Sequence, residues 1–154
     1  MLTKQLAKHF RDVHFGGNWT SVNLKDSLAG IDVAMATRKV NDLNAIAVLV
    51  FHIHYYIVAI KGVLEGKPLD AHDRYSFDLK PLESEGEWQS LIQKSLDDAG
   101  QLAHLIENLD EEMLHKDFVD PKYGNYLRNI LGLTEHCHYH LGQIVIIKKL
   151  LNKA

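Results

Sequence analysis

The sequence predicts an all-α protein, a four-helix bundle with an interrupted first helix, and three observations lead to that fold class. The only three prolines lie in polar stretches between long apolar-periodic segments, a placement typical of helical proteins: Pro68, Pro81 and Pro121. Within those segments, apolar residues recur at intervals of three and four. The chain also has no internal repeat and no low-complexity tract. We therefore expect residues 1–154 to form one bundle domain, with its helices in antiparallel or crossover order.

The first helix is predicted near the start of the chain, where four apolar residues share one helical face: Leu2, Leu6, Phe10 and Val13. The Gly16–Gly17 pair should break this helix or make it bulge, because glycine destabilises a helix interior. We expect the helix to resume at Asn18 or Thr20 and to end at Leu28. Gly30 is then its C-terminal cap.

The second helix is predicted over residues 44–64, although many of its residues favour a strand by propensity: Ile46, Val48, Val50, Ile53, Tyr55, Tyr56, Ile57 and Val58. A run of about 20 residues without a turn signal is long for a strand and normal for a helix. Because the segment is apolar on all sides, it should lie centrally or be covered by another subunit. We therefore expect a homodimer. Residues 67–83 are predicted to be a long crossover loop.

The third helix, residues 84–108, has the clearest pattern. Ser84 and Glu87 form a capping box at its start. Its apolar residues recur at intervals of three and four residues on one face: Trp88, Leu91, Ile92, Leu96, Ala99, Leu102, Leu105 and Ile106. The fourth helix is predicted over residues 122–152, with Lys148 and Lys149 in its last turns, where they suit the helix dipole. Gly132 and Gly142 each destabilise it by roughly 1 kcal/mol relative to alanine.

Composition argues against several classes of protein. The chain has 154 residues, a formal charge of −3 and no basic cluster of the kind that binds nucleic acid. Cys137 is the only cysteine, which excludes an internal disulfide and multi-cysteine zinc motifs and suits a reducing cytoplasm. Charged residues in the first turns argue against a signal peptide. The longest apolar run, residues 45–60, contains two histidines and is short for a membrane span. We expect a cytoplasmic protein without a membrane or nucleic-acid partner.

Histidine is the residue type that points to chemistry, with 10 in the chain and five of them in two short clusters. Residues four apart on a helix lie on one face, so His136 and His140 should point together and His138 away from them. Two such imidazoles and one from a facing helix could bind a divalent metal ion, with room for water or substrate. Gln143, three residues after His140, could hydrogen-bond a ligand imidazole.

Spacing alone leaves alternatives open. His52 and His54 cannot both face the core of a helical bundle, and each shares its stripe with apolar residues, so burial does not choose between them. Histidines on apolar helices are often hydrogen-bonded core residues, and Gln143 could be a surface residue. Were residues 136–140 a strand, all three of its histidines would share a face.

Other catalytic motifs are absent. Cys137 stands where the glutamate of H-E-x-x-H would be, which argues against a zincin protease. The lone E-x-x-H, from Glu112 to His115, has no second copy, which argues against a di-iron bundle. The sequence has no G-x-G-x-x-G, P-loop or G-x-S-x-G motif.

The sequence resembles the DinB/YfiT-like superfamily of metal-dependent enzymes across nearly its whole length. The most specific match is to that family's H-x-x-x-H-x-G-Q-I signature on its fourth helix: His136-Cys137-His138-Tyr139-His140-Leu141-Gly142-Gln143-Ile144. Residues 45–52, which end at His52, are similar to the family's I-x-x-L-x-x-H pattern on helix two. Leu64-Glu65-Gly66 ends that helix where the family usually has L-x-G. Residues 15–20 resemble the broken first helix of some members, and residues 84–88 the opening of helix three.

The resemblance implies a metal site made of His52, His136 and His140, without His54 or His138. It implies an up-down-down-up four-helix bundle, often a dimer, that holds zinc, nickel or a similar divalent ion, with Gln143 next to the ligands. Family members include transferases and isomerases that use low-molecular-weight thiols. We therefore expect a metal-dependent S-transferase acting on a small thiol and an electrophile, or a metal-dependent hydrolase.

Two alternatives belong to other classes of protein. The first is a non-catalytic dimeric bundle whose metal site is structural or vestigial, and the second is a metal-free bundle with core histidines. Tyr55, Tyr56, Tyr123 and Tyr139 are candidate proton donors or pocket walls, although tyrosines at helical spacing usually serve packing.

Overall fold

The computed structural model describes residues 1–153, and in that range the chain is helical and has no strand. It has six α-helices: α1 (Leu2–Phe15), α2 (Leu24–Leu28), α3 (Val33–Thr37), α4 (Ile46–Leu64), α5 (Glu85–Glu107) and α6 (Tyr126–Leu151). Short 3-10 helices lie in the connections: Asp73–Tyr75, Glu111–His115 and Pro121–Tyr123. The predicted all-α class is confirmed.

The four long helices pack in pairs around one hydrophobic core. Helix α1 packs on α5 and α6, and α4 also packs on α5 and α6. The short helix α3 lies against α4 and α5, and α2 against α1 and α6. The largest core side chain, Trp88 of α5, is fully buried and donates its indole N–H to the carbonyl of Ile31 at 2.7 Å. This bond ties the α2–α3 connection to the core.

The interruption after α1 is longer than the sequence predicts. Gly16 and Gly17 have φ of +107° and +99°, a region that favours glycine, and they end the helix. The expected resumption at Asn18 or Thr20 is wrong, because the Asn18 side chain holds a turn instead. Its amide donates to the carbonyls of Asp12 and Val22, and its oxygen accepts from Thr20. The chain becomes helical again only at Leu24.

Helix α2 ends at Leu28, as predicted, and Gly30 follows it with φ of +74°. Helix α3, whose N-cap Asp32 accepts from the backbone N–H of Met35, has no predicted counterpart. The predicted capping box of α5 is present, and in it Ser84 and Glu87 bond to each other's backbone.

Helix α4 forms despite the strand propensity of its residues. It runs for 19 residues and buries side chains on the faces toward α5 and α6. By length and composition it could also cross a membrane, and half of its most apolar stretch is buried inside the protein.

Candidate metal centre

Three histidines meet where α4 packs on α6. His52 comes from α4, and His136 and His140 come from consecutive turns of α6. One ring nitrogen from each of them lies within 4.8 Å of the other two, and the Nε2 atoms of His52 and His136 are 2.9 Å apart. The three rings could therefore hold one metal ion. The structure thus brings together the histidines that the resemblance selects.

The packing of α4 separates His52 from His54. His52 is buried at the contact with α6, whereas the Nε2 atom of His54 lies 2.7 Å from the Asp98 carboxylate on α5. On α6, His138 faces α1, with its ring 6.1 Å from that of His9. We call the cluster of His52, His136 and His140 the triad. Neither His54 nor His138 reaches it.

Hydrogen bonds orient two of the triad rings. The carbonyl of Ser76 lies 3.1 Å from His52 Nδ1, and the side-chain oxygen of Gln143 lies 2.7 Å from His140 Nδ1. Because both oxygens accept, each Nδ1 carries the proton and each Nε2 keeps a free lone pair. The Nδ1 atom of His136 is buried and has no hydrogen-bond partner among residues 1–153. This oriented set of nitrogens fits a divalent ion.

Burial keeps the triad neutral. Desolvation lowers the pKa of His52, and it lowers the pKa of His136 to about 4, with smaller contributions from the neighbouring histidines. Desolvation also lowers the pKa of His140, against the opposing effect of its bond to Gln143. Metal binding requires unprotonated imidazole, so each ring is in the form that can bind a metal at neutral pH.

Residues 67–83, the predicted crossover loop, cover the triad from outside, and we call them the strap. Phe77 stacks on His52, with ring centroids 3.8 Å apart and an angle of 11° between the planes. Tyr55 accepts from the backbone N–H of His72 at 2.8 Å and donates to its carbonyl at 3.2 Å. Tyr56 donates its hydroxyl to the Asp73 carboxylate. The strap therefore covers α4 around His52, whereas Val58 of the same helix remains 43% exposed.

No sequence pattern indicates the strap's contacts with the triad. Ser76 acts through its backbone carbonyl, which carries no sequence signal, and Phe77 is one of several aromatic residues near a polar loop. Tyr55 and Tyr56, for which the sequence leaves packing, pocket wall and proton donor open, both hydrogen-bond to the strap.

Of the four candidate tyrosines, Tyr56 is the one in contact with two triad rings. Its ring centroid lies 5.2 Å from His52 and 5.1 Å from His136, both edge-on. Burial, followed by the bond to Asp73, raises the pKa of Tyr56 to about 12. Tyr139 contacts the ring of His140 but is 65% exposed. Cys137 is fully buried, and burial raises the pKa of its thiol, which makes it a packing residue.

A cleft of about 620 Å³ opens beside the triad, between α4 and the first half of α6. Tyr56 and His136 both line it, so the cleft and the triad share one residue, His136. The other residues of its wall are Ile60, Asn125, Leu127, Arg128, Asn129, Leu131, Gly132, Leu133 and Glu135.

Comparisons with known proteins add nothing to these observations, since no family model, curated protein or solved structure matches the chain.

Proposed function

We propose that this protein is a divalent-metal-dependent enzyme whose metal is held by His52, His136 and His140. The observation that carries the proposal is the convergence of three neutral ring nitrogens within 4.8 Å at the contact of α4 and α6. The orientation of two of these rings by Ser76 and Gln143 supports it, because metal-bound histidines are usually held in this way.

We further propose that the fold is a four-helix bundle of the DinB/YfiT-like type. The pairwise packing of α1, α4, α5 and α6 supports this, as does the break after α1. The position of the triad on the second and fourth long helices also agrees with what the family signature implies.

The number of ligands favours catalysis over a structural role. Structural zinc sites are normally closed by four protein ligands, whereas catalytic sites keep a position open. Among residues 1–153, the group that could hold a metal has three members, and a cleft lies directly beside it. A substrate could therefore approach the fourth position.

The proposed chemistry is thiol transfer or hydrolysis. When bound, a divalent ion supplies a nucleophile at neutral pH, because it lowers the pKa of a bound water or binds a thiol as the thiolate. Ser76 and Gln143 hold His52 and His140 in the tautomer that binds. Tyr56 stays protonated at neutral pH; its hydroxyl donates to Asp73, and the residue forms part of the cleft wall. Imidazole ligands suit zinc and nickel.

The test is elemental analysis of protein purified without an affinity tag. We expect about one equivalent of zinc or nickel, which His136→Ala should abolish while helix content, measured by circular dichroism, is retained. His138→Ala is the matched control, since it changes the same helix two residues away without touching the triad. Full metal retention in His136→Ala would overturn the proposal.

Catalysis is tested on the metal-loaded protein. We expect it to conjugate a small thiol to an electrophile, or to hydrolyse an ester or amide, and we expect His136→Ala to lose this activity. A metal that raises the melting temperature without any turnover would favour the non-catalytic bundle instead.

A further inference from the structure

We infer that the cleft beside the triad takes a substrate with an apolar body and an anionic end group, which Arg128 binds at the end away from the metal. This inference rests on the proposed function and specifies the class of substrate for the same site.

The wall of the cleft combines apolar and polar side chains. Ile60 of α4 and three leucines of α6 line it together with Tyr56 and His136. A volume of about 620 Å³ is within the range of pockets that bind small molecules. Apolar walls of this kind bury an apolar ligand, and the few polar groups orient it.

Gly132 keeps the cleft open along α6. It lies in the interior of a 26-residue helix, where glycine is less stable than alanine by about 1 kcal/mol. No atom outside its own helix turn lies within 4 Å of the position that a Cβ would take. Any side chain at this position would project into open space in the wall of the cleft.

Arg128 lies one helical turn before Gly132, on the same face of α6. Its guanidinium has no ion-pair or hydrogen-bond partner among residues 1–153, although its side chain lines the cleft. The stem of Arg128 lies across Gly124, where a Cβ would come within 2.7 Å of Arg128 Cδ. Arg128 is exposed, and its stem lies against the backbone at Gly124, so its guanidinium is accessible to a carboxylate or phosphate.

The positions of Arg128 and His136 set the length of the ligand. Eight residues separate them on one helix, which places their Cα atoms about 12 Å apart along its axis. A thiolate binds at the metal, and the guanidinium of Arg128 offers a second anion site at the other end of this span. A ligand with a thiol at one end and an anionic group at the other can therefore bind with the anion at Arg128 and the reacting group at the triad.

The experiment uses cobalt-loaded protein and thiols that differ only at their far end. The probes are mercaptoundecanoic acid, the uncharged mercaptoundecanol of equal length, and the short mercaptopropionic acid. Cobalt–thiolate absorption reports binding of the sulfur. We expect the long acid to bind about tenfold more tightly than the long alcohol, a difference of about 1.4 kcal/mol, because its carboxylate can accept charge-assisted hydrogen bonds from Arg128.

Two variants assign that difference to named residues. Arg128→Gln should remove the preference for the acid and leave the affinity for the alcohol unchanged. Gly132→Leu should weaken both long thiols at least tenfold and spare the short one, because its side chain fills the cleft and leans toward the helix N-terminus, away from His136. Gly100→Leu, the same change in the interior of α5 and also facing open space, is the control and should bind like wild type.

Equal affinities for the long acid and the long alcohol would overturn the inference, as would an acid preference that survives Arg128→Gln. Should Gly132→Leu fail to fold, the Arg128→Gln result decides alone. Failure of the protein to bind cobalt would overturn the proposed function itself, whereas normal cobalt binding without acid preference would overturn only the inference about substrate.

Discussion

At the scale of single residues, Gln143 is the side chain that orients the triad without belonging to it. Its oxygen accepts from His140 Nδ1 at 2.7 Å, so Gln143→Leu removes the acceptor and frees the ring to rotate or change tautomer. We expect metal affinity, measured by competition with a chromogenic chelator, to fall about 10–100-fold. Gln89→Leu, an exposed glutamine on α5, is the control. Unchanged affinity in Gln143→Leu would show that Gln143 does not support the ligand.

His14 of α1 should make the protein sensitive to acid. Burial is the main cause that lowers its pKa from 6.5 to about 4, and its Nε2 atom is buried without a partner. Above pH 6.5, His14 is neutral in both the folded and the unfolded state. Between pH 6.5 and 4 the unfolded chain binds a proton that the folded chain does not, so stability falls as the pH falls.

We expect this one residue to lower the free energy of unfolding by about 3 kcal/mol between these pH values. Urea unfolding at several pH values measures the effect. His14→Gln has no titrating group at this position, so its free energy of unfolding should fall less between pH 6.5 and 4. His104→Gln, which replaces an exposed histidine on α5, should follow the wild type. Equal pH dependence of His14→Gln and wild type would contradict the assignment.

At the scale of elements, the strap and α4 act together. Tyr55 makes two hydrogen bonds to the backbone of His72, and four residues later Ser76 bonds to His52. Tyr55→Phe removes both tyrosine bonds, so the strap should loosen and metal affinity should fall. The cost in folding stability should be about 1 kcal/mol per bond or less.

Hydrogen exchange checks the strap directly. Residues 72–77 should exchange faster in Tyr55→Phe than in wild type, while the core amides of α5 stay protected. Tyr139→Phe removes a hydroxyl from an exposed ring of α6 and is the matched control. Unchanged exchange in the strap would mean that Phe77 and Asp73 hold it without Tyr55.

At the scale of the whole molecule, the triad links two long helices, so metal binding should stabilise the fold. At a free metal concentration 100 times the dissociation constant, binding adds about 2.7 kcal/mol. We therefore expect dialysis against a chelator to lower the melting temperature by roughly 5–10 °C. His136→Ala should melt at one temperature with or without the chelator. A chelator effect that persists in this variant would place the metal elsewhere.

The homodimer remains a prediction for the whole molecule. The prediction of a homodimer rests on the apolar second face of α4. The strap covers the part of that face around His52. Exposed apolar side chains remain on α6, including Tyr139 and Ile146. Light scattering should give twice the chain mass of 17.5 kDa. A molar mass equal to that of one chain would show that the protein is a monomer.

Local pattern was enough to predict the long helices. The capping box of Ser84 and Glu87 starts α5 where the sequence indicated, and the apolar run of α4 is helical as its length required. The turn held by Asn18 was not predictable, because a single side chain there bonds to two carbonyls on either side of it. Helix α3 was not predicted because a helix of five residues is too short to show a repeating apolar pattern.

The sequence by itself determined that His136 and His140 share one face, since four residues on a helix nearly complete a turn. It could not choose His52 over His54 by physical argument, and that choice came from a resemblance. Only the packing of α4 between α5 and α6 decided it, by turning His52 to α6 and His54 to Asp98. Helical period and caps depend on neighbouring residues, whereas the triad, the strap and the cleft depend on contacts between segments far apart in the chain, which no local pattern encodes.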